Sequence, residues 1–78
     1  MGRKGMLRLN ILADGEVESG AVLAAIAETA GVVEQSRIEK KNGEIVVAVS
    51  LVSTATEAGR LQNALLSFDG VRSVEVHS

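Results

Sequence analysis

A two-layer α+β domain, a four-stranded antiparallel sheet carrying two helices on one face, follows from three features of the sequence. Segments with strand-like and helix-like patterning occur in the order strand, helix, strand, strand, helix, strand. Asn42-Gly43 separates the two middle strand segments, and Asn-Gly is the strongest short hairpin signal. A length of 78 residues supports one hydrophobic core and leaves no room for a second.

The first strand is predicted over Leu7 to Ala13, with Leu7, Leu9 and Ile11 on one face and Arg8, Asn10 and Leu12 on the other. Asp14-Gly15 breaks it, and Glu16 to Gly20 reads as a polar loop. Ser19 is the expected N-cap of the first helix, with Glu16 and Glu18 near the positive end of its dipole. That helix, Ala21 to Ala30, presents Val22, Leu23, Ile26 and Ala30 as its packing stripe and stops at Gly31.

Val32 to Lys41 is polar apart from Val32, Val33 and Ile38, which suits an exposed edge strand. Ile45 to Val52 is apolar on both faces: Ile45, Val47, Val49 and Leu51 point one way, and Val46, Ala48, Ser50 and Val52 the other. With both helices on the first face, Val46, Ala48 and Val52 are expected to meet a partner, so a homodimer is anticipated. Thr54 with Glu57 three residues on reads as a capping box. Ala58, Leu61, Leu65 and Phe68 then line the second helix, which Asp69-Gly70 closes ahead of a last strand over Val71 to His77.

Composition narrows the function. There is no cysteine, hence no disulfide framework and no thiolate chemistry, which fits a reducing, cytoplasmic setting. No apolar run approaches the roughly 20 residues that span a bilayer, so membrane insertion is not expected. A net charge of −2 gives no general attraction for phosphate backbones, and nucleic acid is not an expected partner. Residues 1–5 are expected to form a disordered leader before a single domain over 6–78.

Two strand-helix-strand units joined by a hairpin give the ferredoxin-like βαββαβ arrangement, with the right-handed crossover rule ordering the sheet 4-1-3-2. RNA-recognition domains of this fold need aromatic side chains on the central strands, and Phe68 is the one aromatic residue of the chain. The metal carriers and the ferredoxins need cysteine. An acylphosphatase needs an arginine in the first loop, where Asp14 to Gly20 carries only acidic charge.

Two stretches, Glu18 to Ile26 and Leu61 to Val76, resemble a known family, the ACT domains, small regulatory modules attached to enzymes of amino-acid metabolism, stringent-response synthetases and transport proteins. Their first loop and helix often read Asp-x-Pro-Gly-x-Leu-x-x-Ile, and Glu18 to Ile26 resembles this at Leu23, Ala24 and Ile26. Glu18 stands at the Asp position, the proline is absent, and the glycine comes one place early as Gly20. Leu61 to Val76 is similar to the family's closing element, an apolar helix followed by Gly70-Val71 and then Val74. The resemblance implies a noncatalytic module that pairs with a second copy and holds an amino-acid effector near the first loop. Carried over by position, the effector residues are Asp14, Gly15, Glu18, Ser19, Gly20 and Ala21, with Gly20 allowing close approach and helix-start N–H groups facing a carboxylate. The degenerate first loop also resembles the ACT-like tails of MgtC-type membrane proteins, which implies a ligand-free pairing or accessory domain as the alternative.

Other polar groups read blandly. The acidic Asp14, Glu16 and Glu18 are a solvated helix start rather than a metal site, so no metal or other cofactor is assigned. His77 is an exposed terminal side chain. Arg37, Lys40 and Lys41 protect an edge strand. Ser50 and Ser53 lack a nearby base in the sequence, so no catalytic residue is assigned.

Overall fold

The computed structural model describes residues 4–30 and 32–77. Its elements are β1 (Gly5–Asp14), α1 (Ser19–Ala30), β2 (Val32–Lys41), β3 (Glu44–Ser53), α2 (Ala55–Leu66) and β4 (Val71–His77). The sheet runs β2-β3-β1-β4 with every neighbouring pair antiparallel, which is the expected order read from the other edge. The expected fold class therefore holds.

Strand β3 is central because both of its faces carry side chains that a sheet interior accepts. Ile45, Val47, Val49 and Leu51 alternate with half-buried residues and are almost fully covered on the helix side. Leu9 and Ile11 of β1, Val22 and Ile26 of α1, Leu61 and Leu65 of α2 and Val74 of β4 complete the core. Full burial of each such side chain contributes about 1.5–3 kcal/mol, so this aliphatic layer holds the helices on the sheet.

Turn chemistry fixes the connections. Asn42 (φ 51°) and Gly43 (φ 76°) both take the left-handed conformation, as a two-residue hairpin between β2 and β3 demands. The Thr54 hydroxyl accepts the Glu57 N–H at 3.1 Å while the Glu57 carboxylate accepts the Thr54 N–H at 3.2 Å, so the predicted capping box is complete.

Two expectations are corrected. Ser19 is not the N-cap but the first residue of α1: the Glu18 carbonyl accepts from the N–H groups of Ala21 and Val22, which puts Glu18 at the cap position. Phe68 is not on α2, which ends at Leu66. Ser67 caps the helix, its N–H donating to Asn63 and Ala64 and its hydroxyl to Ala64 O at 2.6 Å, and Phe68 packs half-buried against the core from the turn beyond. Gly70, at φ 92°, then turns the chain into β4. For residues 1–3 the leader expectation lies outside the described residues, as do Gly31 as a helix stop and the side chains of Ala30 and Val32; Gly5 already belongs to β1.

Among the described residues, no helix lies over the open face of the sheet. Register places Arg8, Asn10 and Leu12 of β1 beside Ser50, Ala48 and Val46 of β3, and those beside Gln35, Arg37 and Glu39 of β2. Val46, Ala48 and Val52, the expected interface residues, all lie there and are half-buried. No helix among the described residues is long and apolar enough to cross a membrane.

Candidate functional site

The first loop starts where three strand ends meet. In this antiparallel sheet the end of β1, the start of β3 and the start of β4 share one edge, so Asp14, Glu44 and Arg72 converge. The Arg72 guanidinium pairs with the Asp14 carboxylate at 2.6 Å and with Glu44 at 3.0 Å. Backbone bonds seat the loop on its neighbours: Asp14 N–H donates to Gly70 O at 2.8 Å, and Gly15 N–H to Gly43 O at 2.8 Å. Gly15 is required for this approach, because a Cβ there would stand 2.7 Å from the Gly43 oxygen. Val17 N–H then donates back to Asp14 O at 3.0 Å, turning the chain towards α1.

The six residues assigned by resemblance divide into two groups. Asp14 and Gly15 line an open depression of about 560 Å³ together with Glu16, Gly43 and Arg72. Asp14 also borders a smaller one of about 290 Å³ with Glu16, Val17, Asp69 and Gly70. Glu18, Ser19, Gly20 and Ala21 line neither and form the start of α1, where Glu18, Gly20 and Ala21 are exposed. The first N–H groups of a helix have no partner within it. Ala21 and Val22 donate to Glu18 O, and the N–H groups of Ser19 and Gly20 have no internal acceptor among the described residues.

Electrostatically the loop is acidic. Asp14, Glu16, Glu18 and Asp69 surround it, and Arg72 is the cation that lines the larger of its two depressions. Even so, no group of three or more Asp, Glu, His or Cys side chains among the described residues is placed to hold a metal ion. His77 contacts Glu75 at 3.3 Å on the exposed surface, and Ser53 is buried with its hydroxyl donating to Thr54 O at 3.3 Å.

The sequence reading missed Glu44, Arg72 and Gly70 as neighbours of the first loop. Their signal was present, since the predicted strand order already puts the Asp14-Gly15, Gly43-Glu44 and Gly70-Val71 breaks at one edge. The reading also treated Arg37, Lys40 and Lys41 as one patch. The pleat divides them: Arg37 and Lys41 pair with Ala48 and Glu44 on the open face, while Lys40 pairs with Ile45 on the helix face.

No protein-family model matches the sequence, and no curated protein matches it either. Among the solved structures similar to it are two that follow it over almost its whole length. The ACT domain of a GTP pyrophosphokinase from Chlorobium tepidum aligns over 96% of this chain and 100% of its own, with a TM-score of 0.83 and 14% identity. An uncharacterised protein of Thermotoga maritima aligns over 96% of each chain, with a TM-score of 0.80 and 15% identity. The chain thus has an ACT-like fold.

Proposed function

We propose that this domain is a noncatalytic regulatory module of a larger enzyme or transporter, which binds a small amino-acid-type effector at the start of α1 and pairs with a second copy through its open sheet face. The observation that carries the reading is the chemistry of the α1 start. Free N–H groups at Ser19 and Gly20 suit a carboxylate, and the neighbouring Glu16 and Glu18 carboxylates suit an ammonium group. Those are the two ends of an amino acid. The half-buried Val46, Ala48 and Val52, uncovered by any layer among the described residues, support pairing.

A thermal-unfolding scan against amino acids tests the effector. A ligand at a hundred times its Kd adds about 2.7 kcal/mol, and each kcal/mol moves the midpoint of so small a domain by roughly 4–8 °C. Gly20→Asp, at an exposed position with open space around it, is expected to keep the fold and abolish the shift by setting a carboxylate against the effector's own. A shift that survives Gly20→Asp places the effector elsewhere.

One observation favours the second reading, a ligand-free pairing module. Asp14, the first of the assigned residues, is already engaged by Arg72, and the remaining loop charge is acidic. A flat panel together with a dimer mass in light scattering supports that alternative.

A further inference from the structure

Away from the first loop, the open face carries a furrow of about 440 Å³ between β1 and β2. Its floor is Ala48 and Ser50 of β3, the small side chains on the open face of that strand, with the bulkier Val46 and Val52 beyond either end. Its walls are Arg8 and Asn10 on one side and Gln35 and Arg37 on the other. The register makes two rungs: Arg8, Ser50 and Gln35 in one, and Asn10, Ala48 and Arg37 in the next. Each rung therefore sets one guanidinium opposite one carboxamide across a small residue, and the two guanidiniums stand diagonally on opposite walls. With strands about 4.8 Å apart, the walls are separated by two strand spacings, a gap that side chains of this length close from both sides.

The charges in the furrow are available. Arg8 makes no ion pair among the described residues. Arg37 contacts Glu39 of its own strand at 2.8 Å, with side chains 77% and 52% exposed, a solvent-screened pair that an incoming anion displaces readily. Two other acids are near: Glu75 lies beyond Asn10 and contacts His77, and Glu34, unpaired in the β2 bulge, adjoins Gln35.

We infer that this furrow binds a small molecule carrying two oxyanion groups, of the dicarboxylate or diphosphate kind. Each guanidinium fork takes one oxyanion in bidentate fashion, the geometry in which arginine outperforms lysine. Gln35, Asn10 and Ser50 supply donors and acceptors between the two ends, and Ala48 leaves the depth for the ligand body. The site shares no residue with the α1 start, so it stands or falls independently of the amino-acid effector.

Isothermal titration with sodium pyrophosphate and with sodium succinate, at constant ionic strength, tests it. Saturable binding of at least one probe is expected, at one molecule per chain in dilute, monomeric protein; Ala48 also lies on the face proposed for pairing, so pairing through that face competes with the ligand. Pyrophosphate alone identifies a diphosphate site, succinate alone a dicarboxylate site. Arg8→Gln and Arg37→Gln are each expected to weaken binding roughly 10- to 150-fold, the loss of one charge-assisted contact. Ala48→Leu keeps both charges but fills the floor and is expected to abolish binding, whereas Gly20→Asp leaves it unchanged. Absence of heat from both probes overturns the inference, and so does binding that persists in the Arg8→Gln, Arg37→Gln double variant. A loss of equal size in Lys4→Gln does the same, since that reports general charge rather than a site.

Discussion

Two glycines five positions apart, Gly15 in the first loop and Gly20 in the first turn of α1, respond oppositely to the same substitution. Neither Gly15 nor Gly20 has a positive φ, so alanine is allowed by the backbone at both, and the difference lies in the neighbours. At Gly15 the new Cβ lies 2.7 Å from the Gly43 oxygen and 3.2 Å from its carbon, both backbone atoms that no rotamer change removes. The same oxygen accepts the Gly15 N–H, so moving it aside weakens the bond that seats the loop on the β2–β3 turn. Overpacking costs about 1–3 kcal/mol and a lost hydrogen bond about 0.5–1.5, offset by about 0.4–1 from the stiffer unfolded chain. Gly15→Ala is therefore expected to lose about 0.5–4 kcal/mol, lowering the midpoint by roughly 4–8 °C for each. At Gly20 the Cβ meets nothing within 4 Å, and the residue lies inside α1. Gly20→Ala is expected to gain about 0.4–1 kcal/mol, raising the midpoint by roughly 2–8 °C. Thermal unfolding followed by far-UV circular dichroism reads both. Equal signs for the two variants refute the reasoning, because they mean that the close approach of Gly15 to Gly43 does not govern the loop.

The capping box gives a second stability prediction: Thr54→Ala is expected to cost about 1 kcal/mol, while Glu57→Gln, which keeps an acceptor for the Thr54 N–H, stays close to the parent. In denaturant titrations an unchanged midpoint for Thr54→Ala removes the box from the stability of α2. For association, Val46→Lys places a charge in the middle of the open face, opposite Leu12 on one side and Glu39 on the other. Light scattering is expected to fall from a dimer mass to a monomer mass with the unfolding signal of the fold retained; a dimer that survives locates the interface on another surface.

Legibility divided along a physical line. Features written in contiguous residues were readable: the Thr54–Glu57 box, the Asn42-Gly43 hairpin, the alternation of β3, and from these the strand order. The end of α2 was not, because Leu65-Leu66-Ser67-Phe68 is compatible with helix locally, and the return of the chain through Gly70 decides where the helix stops. The start of α1 shifted by one residue because the Glu18 carbonyl, which every residue type possesses, makes the first bonds. Polar sites on a sheet belong to a third class. Arg8 and Arg37 are far apart in sequence and become neighbours of one furrow only through their separate registers with Ser50 and Ala48. A one-residue slip of β2 against β3 would send Arg37 to the helix side. The two-residue Asn42-Gly43 hairpin sets that register, which runs unbroken from Lys41 against Glu44 to Gln35 against Ser50; the bulge between Val33 and Gln35 lies beyond it and shifts only Val32 and Val33. The furrow is thus decided by two registers, that of β2 on β3 fixed by the hairpin and that of β1 on β3, and Arg8 and Arg37 taken singly announce neither. Lys40 and Arg37, an odd three positions apart in that unbroken register, take opposite sides of the pleated sheet, one in solvent beside the helix layer and one at the wall of the furrow.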